Sequence, residues 1–226
     1  MKLHLGCGQQ YLEGYVNIDH PPSEHSVQKL QRADLFGDLT TLAYPSGSVE
    51  EIRLHHVFEH FPRPVALALL CRWRDWLAPG GRLHIETPDL MASAWLLVSP
   101  FLSYQKKQEV IRHLFGSHEA HWAVHWDGWH AERFVRTLTA LGFHNVSVKT
   151  SKWARLRNVE VFAEKGPGGS GADTYRAAVR HLLALSTIKS QTSDSRSPPI
   201  SSSELEMLQV WMDMWEQAYL PRAVDG

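Results

Sequence analysis

This sequence has few cysteines and almost no net charge. It has two cysteines among 226 residues, and its 23 lysines and arginines nearly balance its 24 aspartates and glutamates. Two cysteines cannot form a disulfide framework, so the sequence predicts a reducing compartment, the cytoplasm. A formal net charge of -1 gives no overall attraction to nucleic acid or anionic lipid. Binding to RNA is also disfavoured because lysines and arginines form no run interleaved with aromatic residues.

Long apolar runs are missing as well. The longest, residues 92–102, is about half the length that a bilayer crossing needs, and it contains Ser93, Ser99 and Pro100. We therefore expect no membrane insertion. Histidine and tryptophan are abundant instead, with 14 and 9 residues. The overall composition, 43% hydrophobic and 21% charged, is that of a globular protein.

The pattern of apolar residues alternates between strands and helices up to about residue 165. Strands are predicted at residues 2–5, 15–18, 51–55, 82–86, 143–150 and 159–163, and helices at 64–77, 90–98, 104–115 and 131–141. This alternation indicates an α/β domain with a mainly parallel sheet, and the two adjacent final strands indicate an antiparallel edge. One domain is therefore predicted over residues 1–165.

The composition changes in residues 166–226. Residues 166–171 are glycine-rich and predict a linker, residues 172–187 and 204–219 have helical patterns, and the stretch near 189–203 is predicted to be disordered. The last helix carries apolar residues, Trp211 and Trp215 among them, at spacings of three and four. We expect this stripe to dock onto its own domain or onto a sister subunit in a homodimer. A helix that binds a different protein is the alternative.

Two short motifs near the start indicate a nucleoside site. The first strand leads into Gly6-Cys7-Gly8, and the second is followed by Asp19. Glycines let backbone N–H groups approach a ligand closely, and an acid at the end of the neighbouring strand can accept both hydroxyls of a ribose. The dinucleotide fingerprint is incomplete, because its third glycine position is Tyr11 and the acid follows too soon. Binding of NAD is therefore disfavoured.

Three further segments follow in order. Residues 38–52 begin with Asp38-Leu39, residues 55–60 read His-His-Val-Phe-Glu-His, and residues 76–86 contain Leu-Ala-Pro-Gly-Gly. Together with the Gly-Cys-Gly turn, they make residues 2 to about 165 resemble the class I S-adenosylmethionine-dependent methyltransferases. The short interval to Asp19 is similar to a bacterial subgroup linked to surface-polysaccharide biosynthesis. The resemblance implies a Rossmann-like, mainly parallel seven-stranded sheet with an antiparallel edge strand and a shortened first helix, here with a helical C-terminal tail.

The resemblance also implies S-adenosyl-L-methionine as the cofactor. Matched position by position, the residues that would contact it are Gly6, Cys7, Gly8, Asp19, His20, Asp38, Leu39 and His55. The glycine turn would line the methionyl part and Asp19 would bind the ribose. Asp38 would hold the adenine edge, and His55 would lie beside the sulfonium.

The histidines after the third predicted strand suggest a metal site as an alternative. If this turn is helical, His56, Glu59 and His60 share a face, at a spacing suited to a divalent ion. The segment is similar to the E-x-x-E-H of the ubiquinone-biosynthesis O-methyltransferases, with His56 in place of the first acid. However, E-H also occurs in metal-free members of the superfamily, where it caps and packs the turn. We predict that no metal is bound, with these residues as the alternative site.

A second cluster of histidines and tryptophans occupies residues 118–130, where this superfamily usually builds its cover over the substrate. Flat aromatic faces and imidazoles suit a sugar or an aromatic hydroxyl. We predict His125 as the general base, because a histidine recurs at this place in the resembled subgroup. His121, Trp126 and Trp129 are predicted to contact the acceptor. A loop whose rings only pack on the sheet is the alternative.

The sequence therefore predicts an S-adenosylmethionine-dependent O-methyltransferase that acts on a small-molecule or glycan hydroxyl. A sulfonium is already a strong electrophile, so such an enzyme mainly aligns the reacting atoms and excludes water. The alternative is a non-catalytic cofactor-binding scaffold whose Trp-rich tail recruits a biosynthetic partner.

Overall fold

A single seven-stranded sheet organises the computed structural model, which describes residues 1–24, 32–189 and 200–220. The strands are β1 (Lys2–Leu5), β2 (Val16–Asp19), β3 (Leu35–Phe36), β4 (Val49–His55), β5 (Leu77–Pro88), β6 (Phe143–Trp153) and β7 (Leu156–Lys165). Their order across the sheet is β3-β2-β1-β4-β5-β7-β6. Neighbours from β3 to β5 are parallel, whereas β7 is antiparallel to β5 and β6. The predicted mixed α/β sheet is confirmed.

One face of the central strands is apolar and fully buried, and the other carries polar side chains such as His4 and Arg53. Leu3 and Leu5 of β1 and Ile52 and Leu54 of β4 have no exposed surface, and their register places all four on the same face of the sheet. The edge strand β3 is different: it has only two residues, and both are exposed. No sequence pattern predicts this strand, because two exposed residues have no apolar periodicity.

In the described part of the chain, six helices accompany the sheet: α1 (Arg63–Trp76), α2 (Leu90–Val98), α3 (Tyr104–Phe115), α4 (Ala131–Ala140), α5 (Ala172–Ala184) and α6 (Ser202–Tyr219). Short 3-10 turns occur at Pro22–Glu24 and Phe58–His60. The connection between β1 and β2, all of it described, contains turns in place of a helix. Within the described ranges, no helix combines the length and the apolar character needed to span a bilayer.

The two tail helices pack against α1. Asp75 of α1 accepts hydrogen bonds from the hydroxyls of Tyr175 in α5, at 2.6 Å, and Tyr219 in α6. Trp215 and Met212 of α6 are buried in the same apolar core as the sheet. The apolar stripe of α6 therefore docks onto its own chain, which is one of the two arrangements expected from its spacing.

The stretch predicted to be disordered, residues 189–203, lies mostly outside the described residues. At its two ends, Lys189 and Ile200 form an isolated antiparallel bridge. Ser201 caps α6 by accepting a hydrogen bond from the N–H of Glu204, which is a common way to satisfy the first turn of a helix. The last helix consequently begins at Ser202, two residues earlier than the sequence pattern predicts.

Candidate functional site

The candidate site lies where the strand order reverses. The chain runs from β1 outward to β2 and β3, and then returns to the other side of β1 as β4. Open α/β sheets bind ligands outside the carboxyl ends of the strands at such a switch point. Here Gly6 follows β1 and Val57 follows β4, and a Cβ atom on Gly6 would lie 2.2 Å from Val57 Cγ2. A side chain at position 6 would therefore collide with Val57, so this position requires glycine. Its φ of +67° lies in the left-handed region, which also favours glycine.

One carboxylate organises the turn after β1. Asp19 Oδ2 accepts a hydrogen bond from the Gly8 N–H, and Oδ1 accepts one from the His20 N–H at 2.7 Å. The Cys7 thiol also points to Oδ2, with its Sγ 4.0 Å away. The glycine turn, the acid and their position at the switch point fit an adenosine-containing ligand. We refer to Gly6, Cys7, Gly8 and Asp19 as the glycine half of the site.

Asp38 caps the turn that follows β3. Its Oδ1 accepts hydrogen bonds from the N–H and the hydroxyl of Thr40, both at 2.8 Å. Leu39 is buried beside it, and the guanidinium of Arg72 in α1 donates to the Thr40 carbonyl oxygen. These contacts fix the segment in place. The contact with adenine expected of Asp38 and Leu39 stays a prediction.

His55, the last residue of β4, is held neutral. Arg53 Nε donates a hydrogen bond to His55 Nε2 at 3.0 Å, while Glu86 Oε2 lies 3.9 Å from Nδ1. Burial and the neighbouring charge of Arg53 lower the pKa of His55 to about 4. A neutral ring does not repel a cation, so it suits the place beside a sulfonium that the sequence analysis assigns to it.

His56 lies between two carboxylates. Its Nδ1 is 3.4 Å from Glu59 Oε1, and its Nε2 is 3.7 Å from Glu86 Oε1. Burial would lower the pKa of His56, but the contacts with Glu59 and Glu86 outweigh burial and raise it to about 9. Contact with His56 is the largest cause that lowers the pKa of Glu86 to about 2, and hydrogen bonds from Ser151 and Asn158 add to it. An imidazolium between two carboxylates results.

Glu59 and His60 meet His125 across the fold. Their ligand atoms all lie within 4.8 Å of one another, and the rings of His60 and His125 are 4.6 Å apart. Burial would raise the pKa of Glu59, but His56 and the other two imidazoles lower it below its usual value. Burial is also the main cause that lowers the pKa of His125, so this ring is neutral near pH 7. His56, Glu59, His60, Glu86 and His125 form the histidine half of the site.

Residues 116–130 form a loop that bridges the two halves. Trp122 Nε1 donates a hydrogen bond to the Glu24 carbonyl oxygen at 2.7 Å, and its ring stacks on that of His20 with centroids 6.3 Å apart. Further along, the Trp126 N–H donates to the Glu59 carbonyl oxygen at 2.9 Å. The loop is thus attached near the ends of both β2 and β4, on either side of the switch point.

The three residues predicted to contact the acceptor are in different surroundings. His121 is exposed, and Trp126 is 62% exposed. Trp129 is 1% exposed and lies in the core, where its ring stacks on Phe134 with centroids 4.7 Å apart. Trp126 and Trp129, which the sequence analysis grouped, are therefore separated: one ring faces solvent and the other packs under the loop.

Several site residues had no role in the sequence analysis. Glu86 had a usable signal, because it ends a predicted parallel strand next to β4. Trp122 belongs to the recognised cluster, but nothing in the local sequence indicates its contact with Glu24. Ser151 and Asn158 come from the antiparallel strands β6 and β7, and no local pattern predicts that they reach Glu86.

No family model and no curated protein matches this sequence. Solved structures do match. A SAM-dependent methyltransferase from Archaeoglobus fulgidus aligns over 72% of this chain and 85% of its own, with 14% identity and a TM-score of 0.51. One from Methanosarcina mazei aligns over 74% and 92%, with 14% identity and a TM-score of 0.47. The Archaeoglobus match supports the Rossmann-like fold; at this identity it establishes the fold alone.

A third match is the 1,6-didemethyltoxoflavin-N1-methyltransferase of Burkholderia thailandensis, solved with 1,6-didemethyltoxoflavin and S-adenosylhomocysteine bound. It aligns over 73% of this chain and 70% of its own, with 14% identity and a TM-score of 0.48.

Proposed function

We propose that this chain is an S-adenosylmethionine-dependent methyltransferase. The observation that carries the proposal is the glycine half at the switch point, where the Gly6-Cys7-Gly8 turn is hydrogen-bonded to Asp19 between adjacent strands. The similarity of the fold to the Archaeoglobus methyltransferase supports it. The motifs that resemble class I methyltransferases also support it, because they follow one another along the chain in the order seen in that family.

The cofactor would supply an electrophilic methyl group on its sulfonium. The chain's residues would bind and orient the cofactor. Asp19 would bind the ribose, and the backbone of the glycine turn would contact the methionyl part. The neutral ring of His55 would lie beside the sulfonium. Catalysis then requires that the acceptor atom is aligned with the methyl group and that water is excluded. The loop of residues 116–130, attached at both sides of the switch point, is the element suited to exclude water.

We assign the acceptor a place between the glycine half and the histidine half. Its reacting group is assigned as the hydroxyl of a small molecule or a glycan. The exposed ring of Trp126 and the exposed imidazole of His121 suit a sugar, which stacks on aromatic faces and forms hydrogen bonds. Because its pKa is lowered by burial, His125 is neutral and is assigned as the base. Cytoplasmic polysaccharide biosynthesis is the setting that the resemblance favours.

The scaffold alternative depends on a tail that can recruit a partner. Trp215 and Met212 of α6 are buried against α1, and Tyr219 is hydrogen-bonded to Asp75. The apolar face that would bind a partner is therefore occupied within the chain. Enzymatic methyl transfer is the function that the described contacts favour.

The first test measures cofactor binding by calorimetric titration with S-adenosylhomocysteine. Replacing Asp19 by Ala removes the acceptor for the Gly8 and His20 N–H groups and for the ribose. The loss of charge-assisted hydrogen bonds should weaken binding about 10- to 100-fold, or roughly 1.5–3 kcal/mol. The matched control is Asp173→Ala, because this carboxylate is fully exposed on α5.

Circular dichroism and thermal melting would establish that both variants are folded. If folded Asp19→Ala binds S-adenosylhomocysteine as tightly as Asp173→Ala does, the ligand does not use the glycine half and the proposed function fails.

A further inference from the structure

The arrangement of Glu59, His60 and His125 is that of a metal site. Glu59 and His60 lie in the turn after β4, and His125 comes from the loop of residues 116–130. One ligand atom from each lies within 4.8 Å of the others. We propose that these three side chains bind one divalent first-row transition-metal ion, with Zn²⁺ as the reference ion.

Each of the two imidazoles has a backbone carbonyl oxygen beside its Nδ1. His60 Nδ1 lies 3.2 Å from the Val124 carbonyl oxygen, and His125 Nδ1 lies 3.2 Å from the Leu114 carbonyl oxygen. A carbonyl only accepts hydrogen bonds, so in the neutral form of either ring these contacts assign the proton to Nδ1. The lone pair is then on Nε2. Backbone carbonyls hold metal-binding histidines in this way in many proteins, fixing both tautomer and ring direction.

Glu59 supplies the third ligand and the strongest reason for an ion. The residue is 2% exposed, and among the described residues neither carboxylate oxygen has a hydrogen-bond partner. His56 Nδ1 and His125 Nε2 lie 3.4 Å and 3.9 Å from Glu59 Oε1, at ion-pair distance. A buried carboxylate without hydrogen bonds is costly, and a bound cation would compensate for it.

The residues around these three ligands favour a cation as well. His56 also contacts Glu86, and it approaches Glu59 from that side, where it orients the carboxylate. Two carboxylates, those of Glu59 and Glu86, therefore lie on either side of His56.

The ligand types select the class of metal. Two imidazoles and one carboxylate suit Zn²⁺, Fe²⁺ or Co²⁺, whereas Mg²⁺ and Ca²⁺ prefer oxygen ligands throughout. Three protein ligands also leave a coordination position open, as catalytic sites do. We assign the acceptor oxygen of the methyl transfer to this open coordination position, an assignment that rests on the proposed function. Metal ligation would then replace the base role of His125, because the same Nε2 lone pair cannot serve both.

The experiment uses the full chain without a polyhistidine tag, stripped of metal with a chelator. Calorimetric titration with Zn²⁺ and, separately, with Mg²⁺ gives affinity, and elemental analysis after dialysis gives stoichiometry. We expect one Zn²⁺ per chain and no Mg²⁺ binding of comparable affinity. Glu59→Gln, His60→Ala and His125→Ala should each weaken Zn²⁺ binding by about 100-fold or more, since even loss of an outer-shell partner costs about 10- to 100-fold.

Matched controls remove the same residue types elsewhere. Glu132→Gln on α4 and His144→Ala on β6 change exposed side chains of other surface pairs, and they should keep the wild-type Zn²⁺ affinity. Because a ligand variant could fail to fold, Co²⁺ is also added to the unaltered chain. Co²⁺ bound by the two imidazoles, with few other ligands, should absorb visible light. Added Zn²⁺ should displace the Co²⁺ and abolish this absorption.

Three results would overturn the metal site: equal Zn²⁺ affinity in folded ligand variants and controls, a preference for Mg²⁺, or no visible Co²⁺ absorption in the wild type. Titration with S-adenosylhomocysteine separates this outcome from failure of the proposed function. Cofactor binding without metal binding refutes the metal site alone. Metal binding without cofactor binding refutes the methyltransferase proposal and leaves the ion site standing.

Discussion

The glycine half and the histidine half lie side by side at the carboxyl ends of the sheet, but they offer a ligand different chemistry. In the glycine half, backbone N–H groups and one carboxylate are held by hydrogen bonds between neighbouring strands. In the histidine half, the functional groups are side chains that carry opposite charges or lone pairs. The first arrangement suits a nucleoside, and the second suits a cation or a polar acceptor.

The two halves also differ in the distance along the chain over which they are assembled. Gly8 and Asp19 are 11 residues apart, so one strand-turn-strand segment forms most of the glycine half. His60 and Val124 are 64 residues apart, and Glu86 and Asn158 are 72 apart. The histidine half therefore depends on the packing of the whole domain. Changes that loosen the domain should disturb it before they disturb the glycine half.

The largest effect should come from the core that supports both halves. Trp215 of α6 has no exposed surface, and its ring stacks on Tyr219. Trp215→Ala should lower the free energy of unfolding by about 3–5 kcal/mol, measured by urea denaturation, because truncating a buried aromatic leaves a cavity. The protein that remains folded should bind S-adenosylhomocysteine with wild-type affinity. Weaker binding at unchanged stability would mean that α6 belongs to the site.

A smaller effect should be specific to the glycine half. Gly6 and Gly14 both have positive φ, so Ala at either position costs about 1–2 kcal/mol of backbone strain. Only at Gly6 would the Cβ collide, at 2.2 Å from Val57 Cγ2. Gly6→Ala should therefore be less stable than Gly14→Ala by about 1–3 kcal/mol, measured by thermal and urea denaturation, and it should bind S-adenosylhomocysteine more weakly.

The close approach itself can be tested by rescue. Adding Val57→Ala to Gly6→Ala removes the two methyl groups that the new Cβ would meet, so part of the lost stability should return. If the double variant loses as much stability as the two single variants lose together, a collision between the side chains at positions 6 and 57 is not the cause.

The smallest effect should come from the contact that links the two halves. Trp122→Ala removes one hydrogen bond to Glu24 and the stacking on His20. It should weaken S-adenosylhomocysteine binding roughly 2- to 10-fold, as expected for one net hydrogen bond. The control is Trp95→Ala on α2, where the ring is 72% exposed. Equal calorimetric affinities for the two variants would show that the loop does not act on the cofactor.

Most of the fold and the glycine half could be predicted from the sequence, because both depend on local signals. The strand-Gly-Cys-Gly turn and the acid after the second strand are adjacent motifs, and apolar periodicity locates the long strands and helices. The same signals could not predict that Trp129 packs on Phe134 while Trp126 faces solvent. Side-chain direction in an irregular loop depends on long-range packing, which has no period along the chain.

The histidine half shows what local spacing cannot include. Spacing alone grouped His56 with Glu59 and His60 as the alternative metal site. In the fold, His56 lies between Glu59 and Glu86, and His125 takes the remaining place beside Glu59 and His60. Only the path of the loop after α3 brings His125 there.

The central claim is that the glycine half binds S-adenosylmethionine and not a dinucleotide. The most direct measurement is calorimetric titration of the unaltered full chain with S-adenosylhomocysteine and, in parallel, with NAD⁺. We predict saturable binding of one S-adenosylhomocysteine per chain and no binding of NAD⁺ at the same concentrations. Binding of NAD⁺ in its place, or of neither ligand to a folded chain, would contradict the claim.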